Sequence, residues 1–190
     1  MKRLLITGCQ KAGMGFIANI LKEVGVQVGV TKMGPDGNVD WRRPYSENDE
    51  YDIILHQVRE PLADIEASLE MGEWAWNFIC SKESRIRPED PVLLRSMKYW
   101  LYWNQRAQAA AEWTYRVESL PGVLGKILET IGLEGVSMDA VEKMSVKFHK
   151  QRIAQEDKGK LTFGDILAED RAIGEFVDFM GKSYGYKETL

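Results

Sequence analysis

Apolar positions along the chain fall into two similar units separated by polar punctuation. Leu4, Leu5 and Ile6 form a short apolar run that meets a glycine-bearing stretch, Gly8 to Gly15, and a helical period begins at Phe16. The pattern predicts a strand over about 3–7, a loop over 8–13 and a helix over 14–24. The apolar alternation V-Q-V-G-V follows at 26–30, and M-G-P-D-G-N-V-D-W after it carries turn chemistry at Pro35 and Asp36-Gly37. Residues 51–61, Y-D-I-I-L-H-Q-V-R-E-P, repeat the first design: an apolar strand, a polar end, then a helix entered through Pro61. Proline suits a first helical position, where a missing N–H costs nothing.

From about 61 to 111 the chain reads as mostly helical. Leu94, Met97, Leu101 and Asn104 recur at three- and four-residue steps, with Trp100 and Trp103 beside that face. A tryptophan-rich helix of this kind is predicted for the core. W-T-Y-R-V-E-S-L predicts a short strand, followed by a helix over 119–131, a polar stretch of mixed charge and a helix after Thr162. Strands alternating with helices predict one α/β domain over 1–190: a three-layer sandwich around a central, mainly parallel sheet.

Composition narrows the function classes. With 190 residues, a formal charge of −4 and a sequence pI near 5.4, the chain lacks the basic footprint of a sequence-independent nucleic-acid binder. The two cysteines, Cys9 and Cys80, make no disulfide framework and have no metal-ligand spacing, so free thiols are expected. M-K-R-L-L-I-T-G is too short an apolar run for a signal peptide, and no stretch approaches the ~20 apolar residues of a membrane span. These features predict a cytoplasmic protein.

The chemistry concentrates in the first loop. A loop between a parallel strand and a helix can aim backbone N–H groups at an anion, aided by the helix dipole. The loop reads G-C-Q-K-A-G-M-G, with Met14 and Gly15 where a nucleoside triphosphatase carries lysine and the magnesium-binding hydroxyl. The basic residue, Lys11, lies inside the loop instead. Such a loop can hold an anion without a metal. That raises a different option, sulfuryl transfer, where a lysine in the loop neutralises charge on the leaving phosphate without a loop-bound metal.

At this point the chain resembles the nucleotide-dependent sulfotransferases, in a bacterial and plant-type branch. The resemblance rests on the loop, on I-L-H-Q-V-R-E-P-L-A-D-I-E-A-S, and on W-N-F-I-C, D-P-V-L-L-R-S-M-K-Y-W-L-Y-W-N-Q-R-A-Q, E-W-T-Y-R-V-E-S-L and L-T-F-G-D-I, in that order over nearly the whole chain. It implies a P-loop nucleoside triphosphate hydrolase-like fold and 3′-phosphoadenosine 5′-phosphosulfate as co-substrate, with no metal. It implies a small-molecule or glycan acceptor bearing a hydroxyl or amine. Lys11, Ala12, Gly13, Met14, Gly15 and Phe16 would hold the 5′-phosphosulfate, and Lys11 would act in catalysis. Arg59 and Ser68 would hold the 3′-phosphate, with late basic residues (Lys147, Lys150 and Arg152, beside His149) closing over it. Independently of the resemblance, an arginine at a strand's C-terminal end can fork onto phosphate oxygens.

The sequence departs from the family pattern at three places. Ala12, Met14 and Gly15 replace loop hydroxyls, and Ser68 falls one residue after the family's serine, at Ala67. Val30 and Thr31 stand where the branch carries His-Glu ahead of G-P-D-G-N-V-D-W, and neither is a base near neutral pH. His56 and Asp36 are the alternatives for a base, although a strand histidine is commonly a core residue and Pro-Asp-Gly is turn chemistry. Lys32 is the neighbouring cation. Two functions therefore stand: transfer of a sulfuryl group, or a non-catalytic descendant that keeps the fold and the nucleotide pocket.

Overall fold

A computed structural model of the chain describes residues 1–30, 32–45, 50–133 and 161–187. Among the described residues, five strands form one sheet: β1 Leu4–Thr7, β2 Val28–Gly29, β3 Gly37–Val39, β4 Ile53–Val58 and β5 Trp113–Arg116. The spatial order is β2-β3-β1-β4-β5, and every pairing is parallel. Leu4 of β1 lies opposite Gly37 on one side and Ile53 on the other. Helices flank the sheet: α1 Met14–Glu23, α2 Pro61–Leu69, α3 Glu73–Lys82, α4 Val92–Ala110, α5 Leu120–Thr130, α6 Phe163–Glu169 and α7 Arg171–Ser183.

The central strands are buried almost along their whole length, His56 and Gln57 of β4 included, because helices cover both of their faces. Leu4, Leu5 and Ile6 are fully buried, as are Leu55 and Val58 of β4. Each such side chain contributes about 1.5–3 kcal/mol relative to exposure. α4 supplies the largest part of the helical core, with Met97, Tyr99, Trp100, Leu101, Trp103 and Ala107 buried. Trp100 and Trp103 are core residues, as their helical spacing predicts.

Two elements differ from the sequence reading. The helical stretch 61–111 divides into α2, α3 and α4, with Gly72 capping α3 and Pro91 capping α4. The run read as turn chemistry is a turn that leads straight into β3. Gly37 (φ +126°) makes this possible, because a Cβ there would run into the backbone of Leu4 on the neighbouring strand. Only glycine lets the chain leave Pro35-Asp36 and enter the sheet at once. The 26–30 alternation yields only the two-residue β2.

Topology positions the site. In a parallel sheet all strands end at one edge, and the connections after β1, β3, β4 and β5 emerge together there. The loop after β1, Asp40 and Trp41 after β3, Arg59 and Glu60 after β4, and Glu118 after β5 therefore share that edge.

Candidate functional site

The loop from Gly8 to Gly13 is held by neighbours on three elements. Gly8 packs so closely on β4 that a Cβ would meet the Gln57 carbonyl. Gln57 Nε2 donates to the Ala12 carbonyl at 2.7 Å, and its Oε1 accepts from the Tyr115 hydroxyl at 2.8 Å. The Gln10 amide donates to the Tyr99 hydroxyl of α4 at 2.8 Å, and the Ala12 amide donates to the Cys9 carbonyl at 3.1 Å. Gly13 caps α1 in the left-handed region (φ +90°), and no side chain caps that helix. Phe16 and Ile17 donate to the Gly13 carbonyl, so the first-turn amides of Met14 and Gly15 are the ones left to face a ligand.

The second element meets the first directly. Arg59, just past the end of β4, donates from Nη1 to the Lys11 carbonyl at 3.1 Å. Its Nε is buried without a partner among the described residues. Lys11 is half-buried on the same loop. The Arg59 side chain thus rests on the backbone of the loop that carries Lys11, at the C-terminal edge of the sheet.

Carboxylates surround them. The Glu60 side chain accepts from the Ala63 amide and caps α2, and the Glu60 amide donates to Glu118. Tyr186 donates to Glu118 Oε2 at 2.8 Å and reaches the Val58 carbonyl at 3.3 Å, tying the C-terminal segment to the same edge. Asp64, in the first turn of α2, is 1% exposed, and neither carboxylate oxygen has a partner among the described residues. Burial pushes its pKa up to about 7, against the pull of the Arg59 charge. Burial likewise pushes the Cys9 thiol well up, which makes it a thiol rather than a thiolate nucleophile.

The remaining sequence-named residues fall elsewhere. His56 is fully buried; its Nε2 lies 3.0 Å from Asn104 Oδ1 and its Nδ1 3.0 Å from Thr114 Oγ1. Burial lowers its pKa to about 4, so the ring is neutral, and both nitrogens are engaged inside the core. That is the core-histidine arrangement, with no nitrogen turned to solvent. Ser68 is buried and donates back to the Asp64 carbonyl at 2.8 Å within α2. Asp36 Oδ2 accepts from the Gln27 amide, fastening the turn before β3. Val30 and Lys32 are exposed, whereas Thr31, Lys147, His149, Lys150 and Arg152 lie outside the described residues.

An aromatic cluster adjoins the β3 side of the edge. The Thr7 hydroxyl, one residue before Gly8, donates to the Asp40 carbonyl at 3.0 Å. The next residue, Trp41, meets Phe78 edge-on at 5.3 Å and Trp74 edge-on at 6.1 Å. Trp74 is 63% exposed, so the cluster opens to solvent.

Sequence reasoning missed Gln57 and Asp64. Asp64 carried a signal: Pro61, Asp64, Ile65 and Ser68 are the buried positions of α2, spaced as one helix face. A carboxylate in that stripe is a buried acid. Gln57 carried none, since its role depends on the loop folding back over β4.

No family model matches the chain, and no curated protein or solved structure matches it. Among the described residues, no helix is long and apolar enough to cross a membrane.

Proposed function

We propose that the loop after β1, together with Arg59, binds 3′-phosphoadenosine 5′-phosphosulfate, and that the protein transfers the sulfuryl group to a hydroxyl or amine of a small-molecule or glycan acceptor. The fold is then of the P-loop nucleoside triphosphate hydrolase-like, sulfotransferase-like kind. The observation that supports this reading is the 3.1 Å contact between Arg59 and the Lys11 carbonyl, which brings the strand-end arginine onto the loop that carries Lys11. A nucleotide with phosphates at both its 5′ and 3′ positions suits such a pair. Lys11 and the first-turn amides of α1 take the 5′ group, and the Arg59 fork takes the 3′-phosphate.

In the transfer, the acceptor's oxygen or nitrogen bonds to sulfur while the bond from sulfur to the bridging phosphate oxygen breaks. Negative charge grows on that leaving phosphate, where Lys11 and the amides of Met14 and Gly15 stabilise it. The acceptor gives up its proton to water as the bond to sulfur forms. The exposed ring of Trp74, backed by Phe78 and the buried Trp41, offers a ring-shaped acceptor a stacking surface on the β3 side of the loop.

One observation favours a second reading, a nucleotide-binding module without turnover. His56, the histidine nearest in sequence to Arg59, is enclosed between Asn104 and Thr114 and has no nitrogen to accept the acceptor's proton. Calorimetry separates the readings in two steps. The protein should bind 3′-phosphoadenosine 5′-phosphate more tightly than AMP or ATP, with or without magnesium. Arg59→Ala should erase the preference over AMP, and an unchanged preference would make the arginine structural. Radiolabelled sulfate transfer to sugars, phenols and amines then distinguishes enzyme from module.

A further inference from the structure

Among the described residues, Asp64 is the buried carboxylate whose two oxygens both lack a partner. Buried polar groups nearly always find hydrogen bonds, and a buried, unpaired carboxylate is costly. Yet both Asp64 oxygens are sealed from solvent without a partner among the described residues, directly beside the basic site. Ion pairing with Arg59 would satisfy it, but Arg59 turns its Nη1 to the Lys11 carbonyl and leaves its own Nε orphaned.

We infer that Asp64 takes up a proton from the solvent when a phosphate-bearing ligand enters the loop, so that anion binding and protonation of this carboxyl are one linked event. The inference rests on the nucleotide-site reading above. It follows from which charges act on Asp64. Lys11 on the loop and Arg59 after β4 favour its ionised form, whereas Glu60 after β4 and Glu118 after β5 disfavour it. Cys9 on the loop, Tyr99 from α4 and Tyr186 from the C-terminal segment also feel its charge, and burial keeps Cys9 and Tyr99 protonated well above neutrality and raises Tyr186 too. A bound phosphate adds negative charge at this place and draws the fields of Lys11 and Arg59 onto itself. Both changes disfavour the carboxylate, and they act in the same direction. A carboxyl that already titrates near neutrality then becomes the neutral acid.

The test is calorimetric titration with 3′-phosphoadenosine 5′-phosphate at about pH 8, where the ligand's phosphates are fully ionised. It is run in two buffers of different ionisation enthalpy. The expected result is an apparent binding enthalpy that differs between the buffers, corresponding to uptake of about half a proton or more per ligand. The affinity should fall as pH rises above about 7. Asp64→Asn should bind with no buffer dependence and a flat affinity over the same range. If that variant does not fold, infrared difference spectra of the unaltered protein serve instead, since ligand addition should produce a protonated-carboxyl C=O band. Binding without proton uptake, or without that band, overturns the linkage and leaves the nucleotide reading intact. Absence of binding overturns both.

Discussion

Gln57 holds the loop through the Ala12 carbonyl at 2.7 Å, across 45 residues of sequence. The same amide accepts from Tyr115, so one β4 side chain couples the loop after β1 to β5. The next residue back, His56, points to the opposite face and engages α4 through Asn104. Alternation along one strand thus assigns one residue to the site and its neighbour to the core.

Replacing Gln57 with Leu removes both bonds and leaves the Ala12 carbonyl and Tyr115 hydroxyl buried without partners. A loss of ~2–4 kcal/mol is expected, since each orphaned group costs about 1–3 kcal/mol less whatever relaxation recovers. Urea denaturation measures it. Nucleotide affinity should fall further than stability alone explains, because the loop loses its anchor.

At Gly13, the left-handed backbone and the Val117 methyl, 3.0 Å from where a Cβ would stand, act together against any side chain. Gly13→Ala should cost about 1–3 kcal/mol in stability. Gly15 has open space around it, so Gly15→Ala in α1 should leave stability unchanged or slightly raised. Thermal melts of the two variants check the contrast.

The buried acid carries a stability signature that needs no ligand. Folding raises the Asp64 pKa to about 7, so the folded protein holds a proton that the unfolded chain releases at lower pH. Stability from this group is therefore lost as pH rises from about 4 through about 7. Asp64→Asn should be more stable than the unaltered protein above pH 7, by on the order of a few kcal/mol, and the advantage should shrink at about pH 5. An advantage of equal size at both pH values would show that the carboxyl does not titrate on folding.

His56 acts in the opposite direction. Burial holds its pKa near 4, whereas the unfolded chain takes up the proton near the ordinary value of 6.5. Stability is complete above about 6.5 and falls as pH drops toward about 4, by at most ~3 kcal/mol. His56→Gln should flatten this acid limb in chemical denaturation measured across that range. Sulfate transfer, where it occurs, should be insensitive to the substitution beyond its effect on folding.

How much of this was legible beforehand depended on whether the cause was local. β1, β4 and α1 were read within a residue or two, because apolar runs and a helical period are local signals. Pro61 marked the start of α2 for the same reason. β3 was not legible: its G-N-V sequence has poor strand propensity, and it exists because Gly37 alone fits against Leu4. Within the site, Lys11 and Arg59 were legible as types, an in-loop lysine and a strand-end arginine, and the topology brings them together. The fate of Ser68 was not, since its hydroxyl bonds to the carbonyl one turn back rather than to anything outside α2. The orphaned state of Asp64 likewise depends on how Arg59 turns, which is a long-range outcome.

β2, the outermost strand on its side of the sheet among the described residues, is only Val28–Gly29. Recruitment of an extended segment from another molecule needs a row of unpaired backbone groups several residues long. Two residues offer almost no such row. Gly29 is further hemmed in by the backbone of Lys32 and Gly34, which fold back against it. This flank closes the sheet instead of templating its growth, so intermolecular β-pairing gains no foothold there.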